Sequence, residues 1–207
     1  SPWCLKYIEN PPSEIGLQYT MFQHVSCMIF LGFGLLMVCS ARLGISSIVT
    51  TFMIGAVCIQ YGMLFHHFWG NVITNHWEVI ELSISDLVVG NFAAGTALIS
   101  FGAVIGHVTP AQMIAATLVQ IPLYSLNESI LAKSYSGGIE AVDMGGSMFV
   151  HTFGAISGVF MSMFLRRRSQ TNIPKSVTSY HSDIIAFIGT VILWMFWPSF
   201  NGALAVG

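Results

Sequence analysis

Apolar residues fall into six long runs separated by short polar breaks. Val25 to Ala41 is the first, close to the shortest length that crosses the hydrocarbon core of a bilayer, and Arg42 marks its end. Ile45 to Trp69 is the second, closing on the aromatic collar Phe65-His66-His67-Phe68-Trp69. Leu87 to Gly106 and Pro110 to Ala132 are the third and fourth, joined only by His107-Val108-Thr109, which makes them antiparallel neighbours. Pro110 suits a first turn, where its missing N–H costs nothing. The fifth runs from about Asp143 to Leu165 and the sixth from Ile184 to about Leu204. Residues 1–23, 71–86, 133–142 and 166–182 read as polar connections, the first of them as an exposed lead segment.

The fifth run carries the most distinctive chemistry. Asp143-Met144-Gly145-Gly146-Ser147-Met148-Phe149-Val150-His151-Thr152-Phe153-Gly154-Ala155 sets a carboxylate and an imidazole at the head and middle of an apolar segment. At about 100° per residue, Asp143, Ser147, His151, Gly154 and Gly158 share one helical stripe. An ionised group at mid-depth costs roughly 2.5 to 3.5 kcal/mol or more, so such a stripe faces protein or a pore rather than lipid. Asp143 escapes most of that cost at the segment's start, where it equally suits a helix N-cap. His151 escapes it as a neutral ring, and a buried hydrogen-bonded histidine remains the alternative to a functional one. Gly154 with Gly158, and Gly102 with Gly106, have the small-xxx-small spacing of closely packed membrane helices.

Composition agrees with the runs: 54% of residues are hydrophobic and 8% charged, against about 25% charged in soluble domains. This is the signature of an integral membrane protein. A net charge of −2 and the single basic tract Arg166-Arg167-Arg168 give nucleic acid no footprint. With Arg42, Arg166 to Arg168 and Lys175 on the inner side and Lys6 and Lys133 outside, the positive-inside rule puts residues 1–23 outside the cell and 166–182 in the cytoplasm. Glu78, Glu81, Glu128 and Asp143 then share the outer face, Glu128 and Asp143 as candidates for an acidic mouth. His66, His67, His76, Glu78, Glu81 and Asp86 lack the short fixed spacing of a dedicated metal site, and no metal or cofactor is expected. The four cysteines have no zinc-type spacing, and Asn127-Glu128-Ser129 matches a glycosylation sequon too near the membrane to be used. No nucleophile elbow, phosphate loop or HExxH motif points to an enzyme. Both ends read as cut.

The Asp143 to Ala155 segment resembles the fifth-helix signature of the ammonium transporter and Rh glycoprotein superfamily. Phe196-Trp197-Pro198-Ser199-Phe200-Asn201 resembles the sixth-helix signature of its Rh branch. Residues 28–37, Ser100 to Gly106, Asn127-Glu128 and Tyr180-His181-Ser182-Asp183 agree in order and spacing. The resemblance implies an all-α membrane protein in which about six helices, residues 24–207, form the first half of an inverted-repeat bundle, the full-length protein being a homotrimer with one pore per subunit. It implies ammonium or ammonia as cargo, with carbon dioxide as an alternative and a non-conducting scaffold as another. His151 then matches the first pore histidine, and Phe92 and Phe200 the stacked gate. Asp143 matches an aspartate that orders the pore backbone, Glu128 an outer-vestibule acid and Asp183 an inner-vestibule acid. Two departures stand out: Asn91 precedes Phe92 where the family usually has Asp, and His24-Val25-Ser26 stands where it usually has Asp-Val-His.

Overall fold

The computed structural model describes residues 6–7, 12–39, 44–77, 79–131, 141–165 and 178–203. Arg42, Glu78, Lys133, Arg166 to Arg168 and Lys175, which enter the orientation and metal readings, lie outside the described residues.

The first crossing starts earlier than its hydropathy suggests. Helix α1 (Pro12–Cys27) runs through a π-helical segment (Met28–Gly32) into the short α2 (Phe33–Leu36). Residues 12–23 are therefore helix, not exposed loop, and the crossing ends short of Ala41. Leu17, Tyr19, Met21 and Phe22 alternate with Gln18, Thr20 and Gln23, which hides the helix in a hydropathy average. Next come α3 (Gly44–Thr74), α4 (Ile84–Val104), α5 (Pro110–Leu131), a second π-helical segment (Ser147–Thr152) continued by α6 (Phe153–Leu165), and α7 (Tyr180–Gly202). Five of the six crossings are long and apolar enough for a membrane; α5 has the length but carries more polar residues. The chain is an all-α, multi-pass membrane protein.

Polar chemistry sets the ends. At α4, Ser83 donates to the Asp86 carboxylate through its backbone N and its Oγ (2.8 and 2.6 Å), and Asp86 N donates back to Ser83 Oγ (3.4 Å). Ser179 and Ser182 form the matching box at α7. Together they satisfy N–H groups that helix ends leave orphaned. Lys6–Tyr7 (β1) pairs in parallel with Glu81–Leu82 (β2), so part of the lead segment is tied to the connection before α4.

Helix α4 lies at the centre, packed against α1, α3, α5 and α6, and most of its length is buried. Small residues let its neighbours come close. A Cβ at Gly90 would lie 2.6 Å from the Ile59 carbonyl of α3, and one at Gly154 would lie 2.8 Å from the Thr96 carbonyl. Hydrogen bonds also join α4 to α6 and α5, Ser100 Oγ donating to Gly154 O (2.7 Å) and accepting from Gln120 Nε2 of α5 (2.6 Å). Gly158 stands against Ser100 and Ala103 one turn further on. Gly102 and Gly106 do not form an equivalent pair: Gly102 is exposed beside the flexible end of Met37, and Gly106 lies past the end of α4 at φ +80°. Helix α7 runs antiparallel along the first crossing, Gly32 against Leu193 and Gly189 against Leu36.

Candidate functional site

The starts of the first, third and fifth crossings and the ends of α3, α5 and α7 lie at one end of the bundle, where most of the singled-out residues meet. The stripe expected through Asp143, His151, Gly154 and Gly158 is split there. Residues 141–146 are not helical, and Ser147–Thr152 has i→i+5 bonding, so its phase slips relative to a 3.6-residue helix. His151 turns toward α7 while Gly154 and Gly158 turn toward α4.

Asp143 organises this start. Its carboxylate accepts from Ser147 N (2.8 Å), Ser147 Oγ (2.7 Å), Met148 N (2.7 Å) and Phe149 N (3.1 Å). It thus caps the segment from three residues before the formal N-cap, Gly146, which has a left-handed backbone (φ +64°) and no side chain to serve. Partial burial works to raise the Asp143 pKa, but the Ser147 hydroxyl and the three backbone donors outweigh it and hold the carboxyl below its ordinary value.

His151 Nδ1 lies 3.0 Å from Gly146 O. A carbonyl oxygen only accepts, so Nδ1 carries a proton, and in the neutral ring Nε2 keeps its lone pair. The ring meets Trp197 and Phe200 at centroid distances of 5.3 and 5.9 Å. Phe200 in turn packs against Phe92 of α4 at 4.3 Å with the rings tilted by 38°, both being almost fully buried. Phe92 also lines a cavity of about 220 Å³ that Tyr124, Glu128, Asp143 and Phe149 share. Two acids, an aromatic pair and an imidazole therefore follow one another, with Phe92 and Phe200 between the acidic cavity and His151.

Comparison with known proteins settles the lineage. The sequence profile of the Ammonium Transporter Family matches residues 13–207. This chain belongs to that family. It is 39% identical over 198 residues to ammonium transporter Rh type B of Xenopus tropicalis, covering 95% of this chain and 42% of that protein. With the Rh type B transporter of Sus scrofa it shares 40% identity over 195 residues, 94% of this chain and 41% of the relative. Among solved structures it resembles Nitrosomonas europaea Rh50, a structure described together with the mechanism of conduction by the Rhesus protein family of channels. The TM-score is 0.81 at 31% identity, over 94% of this chain and 50% of that one. The chain thus groups with the Rh branch and spans about two-fifths of the length of these Rh type B relatives.

The departures from the family pattern take up one another's bonds. Asn91 Nδ2 donates to Ser26 Oγ (3.0 Å), so the two positions where the family pattern has Asp and His hold a neutral pair, Asn91 immediately preceding Phe92 in α4. His24 Nδ1 lies 2.9 Å from Ser199 Oγ, and its ring contacts Phe196 at 4.9 Å, joining the first crossing to α7 beside Phe200. Asp183 stands apart: it is exposed in the first turn of α7, some 17 residues and roughly 25 Å from Phe200.

Trp197, Tyr124 and His66 were given no place in the site by the sequence. Trp197 reaches His151 from within the Phe-Trp-Pro motif. Tyr124 is fully buried beside Glu128, one turn earlier on α5, a spacing that could have flagged it. His66 of the aromatic collar places Nδ1 3.5 Å from Glu128 Oε2, and its neighbour His67 places Nε2 3.0 Å from Asp86 Oδ1. Nothing in the sequence links residues 66 and 128.

Proposed function

We propose that the full-length protein carries ammonium nitrogen across a membrane, recruiting the cation at the Glu128 and Asp143 cavity and passing it as neutral ammonia between Phe92 and Phe200 to His151. The observation that carries this reading is the unbroken sequence of acidic cavity, closely packed phenyl pair and imidazole. A carboxylate and aromatic faces attract a small cation. Two closed rings oppose a hydrated ion, and an apolar passage charges several kcal/mol for the ionised form, so the proton leaves before the nitrogen crosses. A neutral His151 with its Nδ1 committed offers Nε2 to accept a hydrogen bond from ammonia.

In this reading the segment ahead of the first crossing, which starts near Gly16, lies outside the cell, the membrane is the plasma membrane, Asp183 serves the inner vestibule, and three full-length subunits assemble with one pore each. Methylammonium uptake by the full-length protein in vesicles tests the cargo, and His151→Ala should reduce it at least tenfold. Unchanged uptake in that variant removes His151 from the path. Carbon dioxide flux that persists in a protein showing no methylammonium uptake would replace the cargo with a gas.

A further inference from the structure

We infer that His66 is a positioning residue that balances the buried Glu128 carboxylate with a proton, and that a cation entering the cavity displaces this proton to water. The inference deepens the reading above and relies on it for the identity of the cation.

The Glu128 residue is only 7% exposed, lines the 220 Å³ cavity and has an Oε2 with no hydrogen bond among the described residues. A carboxylate so placed needs a counter-charge or a proton of its own. The sequences of α3, α4 and α5 contain no Lys or Arg. The titratable groups of the surrounding elements are few. Helix α5 offers Tyr124 and Glu128 itself. Helix α4 offers Asp86, which is held by His67 and Ser83. Helix α2 and the first π segment offer none, and α3 adds Cys58, Tyr61 and His67, whose ring lies 5.8 Å from that of His66. Asp143 faces the same cavity but is saturated by four donors. Protonated His66, at 3.5 Å, is the cation these helices can present to Glu128. Imidazole exchanges its proton between pH 5 and 8, unlike lysine or arginine.

Two cations beside one carboxylate repel each other, so occupation is exchange. Protonated His66 paired with ionised Glu128, plus an incoming monovalent cation, gives neutral His66, Glu128 paired with the cation, and one proton in water.

The test is calorimetry of methylammonium binding to the full-length protein in lipid nanodiscs, in two buffers of different ionisation enthalpy. Wild type should release close to one proton per cation at about pH 6 and much less at pH 8, with affinity rising by up to about tenfold per pH unit over the acid part of the range. His66→Gln, or His66→Asn should the first misfold, should bind the cation without releasing a proton and with a flat pH profile. Binding to wild type with no proton release at pH 6 overturns the inference and leaves the conduction reading intact, as does full release in the His66 variants. Failure of wild type to bind methylammonium removes the cation-recruiting reading and the inference together.

Discussion

At the residue scale, the strongest local commitment is Asp143, a single carboxylate serving four donors at the start of the fifth crossing. Its pKa is lower in the folded chain than the ordinary 3.8, so its contribution to stability is complete above that value and fades as pH falls through the folded value. Asp143→Ala should cost about 1 kcal/mol, the scale of a lost N-cap, and Asp143→Asn less, since an amide oxygen still accepts. Thermal unfolding in detergent at pH 7 and at pH 3.5 checks this, and the gap between wild type and the alanine variant should narrow at the lower pH. Asp143 and His151 were legible because charge and imidazole are expensive in an apolar run. Phe92 and Phe200 were legible only through resemblance, because a phenylalanine in a membrane helix ordinarily means packing. The bond from Asn91 to Ser26 and the approach of His66 to Glu128 were not legible: each joins different helices, and pairing them requires the rotation of each helix about its axis.

At the element scale, hydropathy found all six crossings but misjudged how two of them begin. A hydropathy average finds where lipid is tolerated, whereas backbone bonding decides where a helix begins, and α1 begins among residues too polar to register. The π segment at 147–152 escaped because one i→i+5 turn leaves the composition unchanged while redirecting His151 from the Gly154 face to α7. Glycine spacing likewise proposed two contacts and only one is close. Gly158→Val should be destabilising by about 1 to 3 kcal/mol, because even its Cβ would stand 2.9 Å from Ala103 Cβ and 3.0 Å from Ser100 Cα, on a helix that cannot retreat. Gly102→Ala should be neutral or slightly stabilising, since its Cβ would meet only the Met37 methyl at 3.4 Å and alanine favours helix. Urea or thermal midpoints of the two variants, side by side, decide whether the spacing or the observed contact sets the packing.

At the scale of the whole molecule, burial is lopsided. The membrane-crossing part of α4 is 78% buried, that of the fifth crossing 22% and that of α7 11%. Phe164 (88% exposed), Trp194 (80%) and Phe187 (68%) show what α6 and α7 turn outward. Lipid tails satisfy such faces as well as protein does, so apolar exposure alone does not stop the bundle from inserting. His151 is different, because it sits between these two weakly covered crossings, walled by Trp197 and Phe200 but only partly buried. A polar path left open along one side to hydrocarbon holds neither a file of ammonia nor a proton in transit, since each hydrogen bond lost to lipid costs several kcal/mol. The 207-residue chain reconstituted alone should therefore insert as a helical protein yet give methylammonium flux indistinguishable from empty vesicles, whereas the function proposed above predicts uptake by the full-length protein. Circular dichroism and uptake on the same vesicles test both halves of that statement. Flux from the short chain would mean that α7 and the fifth crossing wall His151 sufficiently by themselves or by pairing with copies of this chain, and crosslinking of the conducting vesicles would separate those two cases.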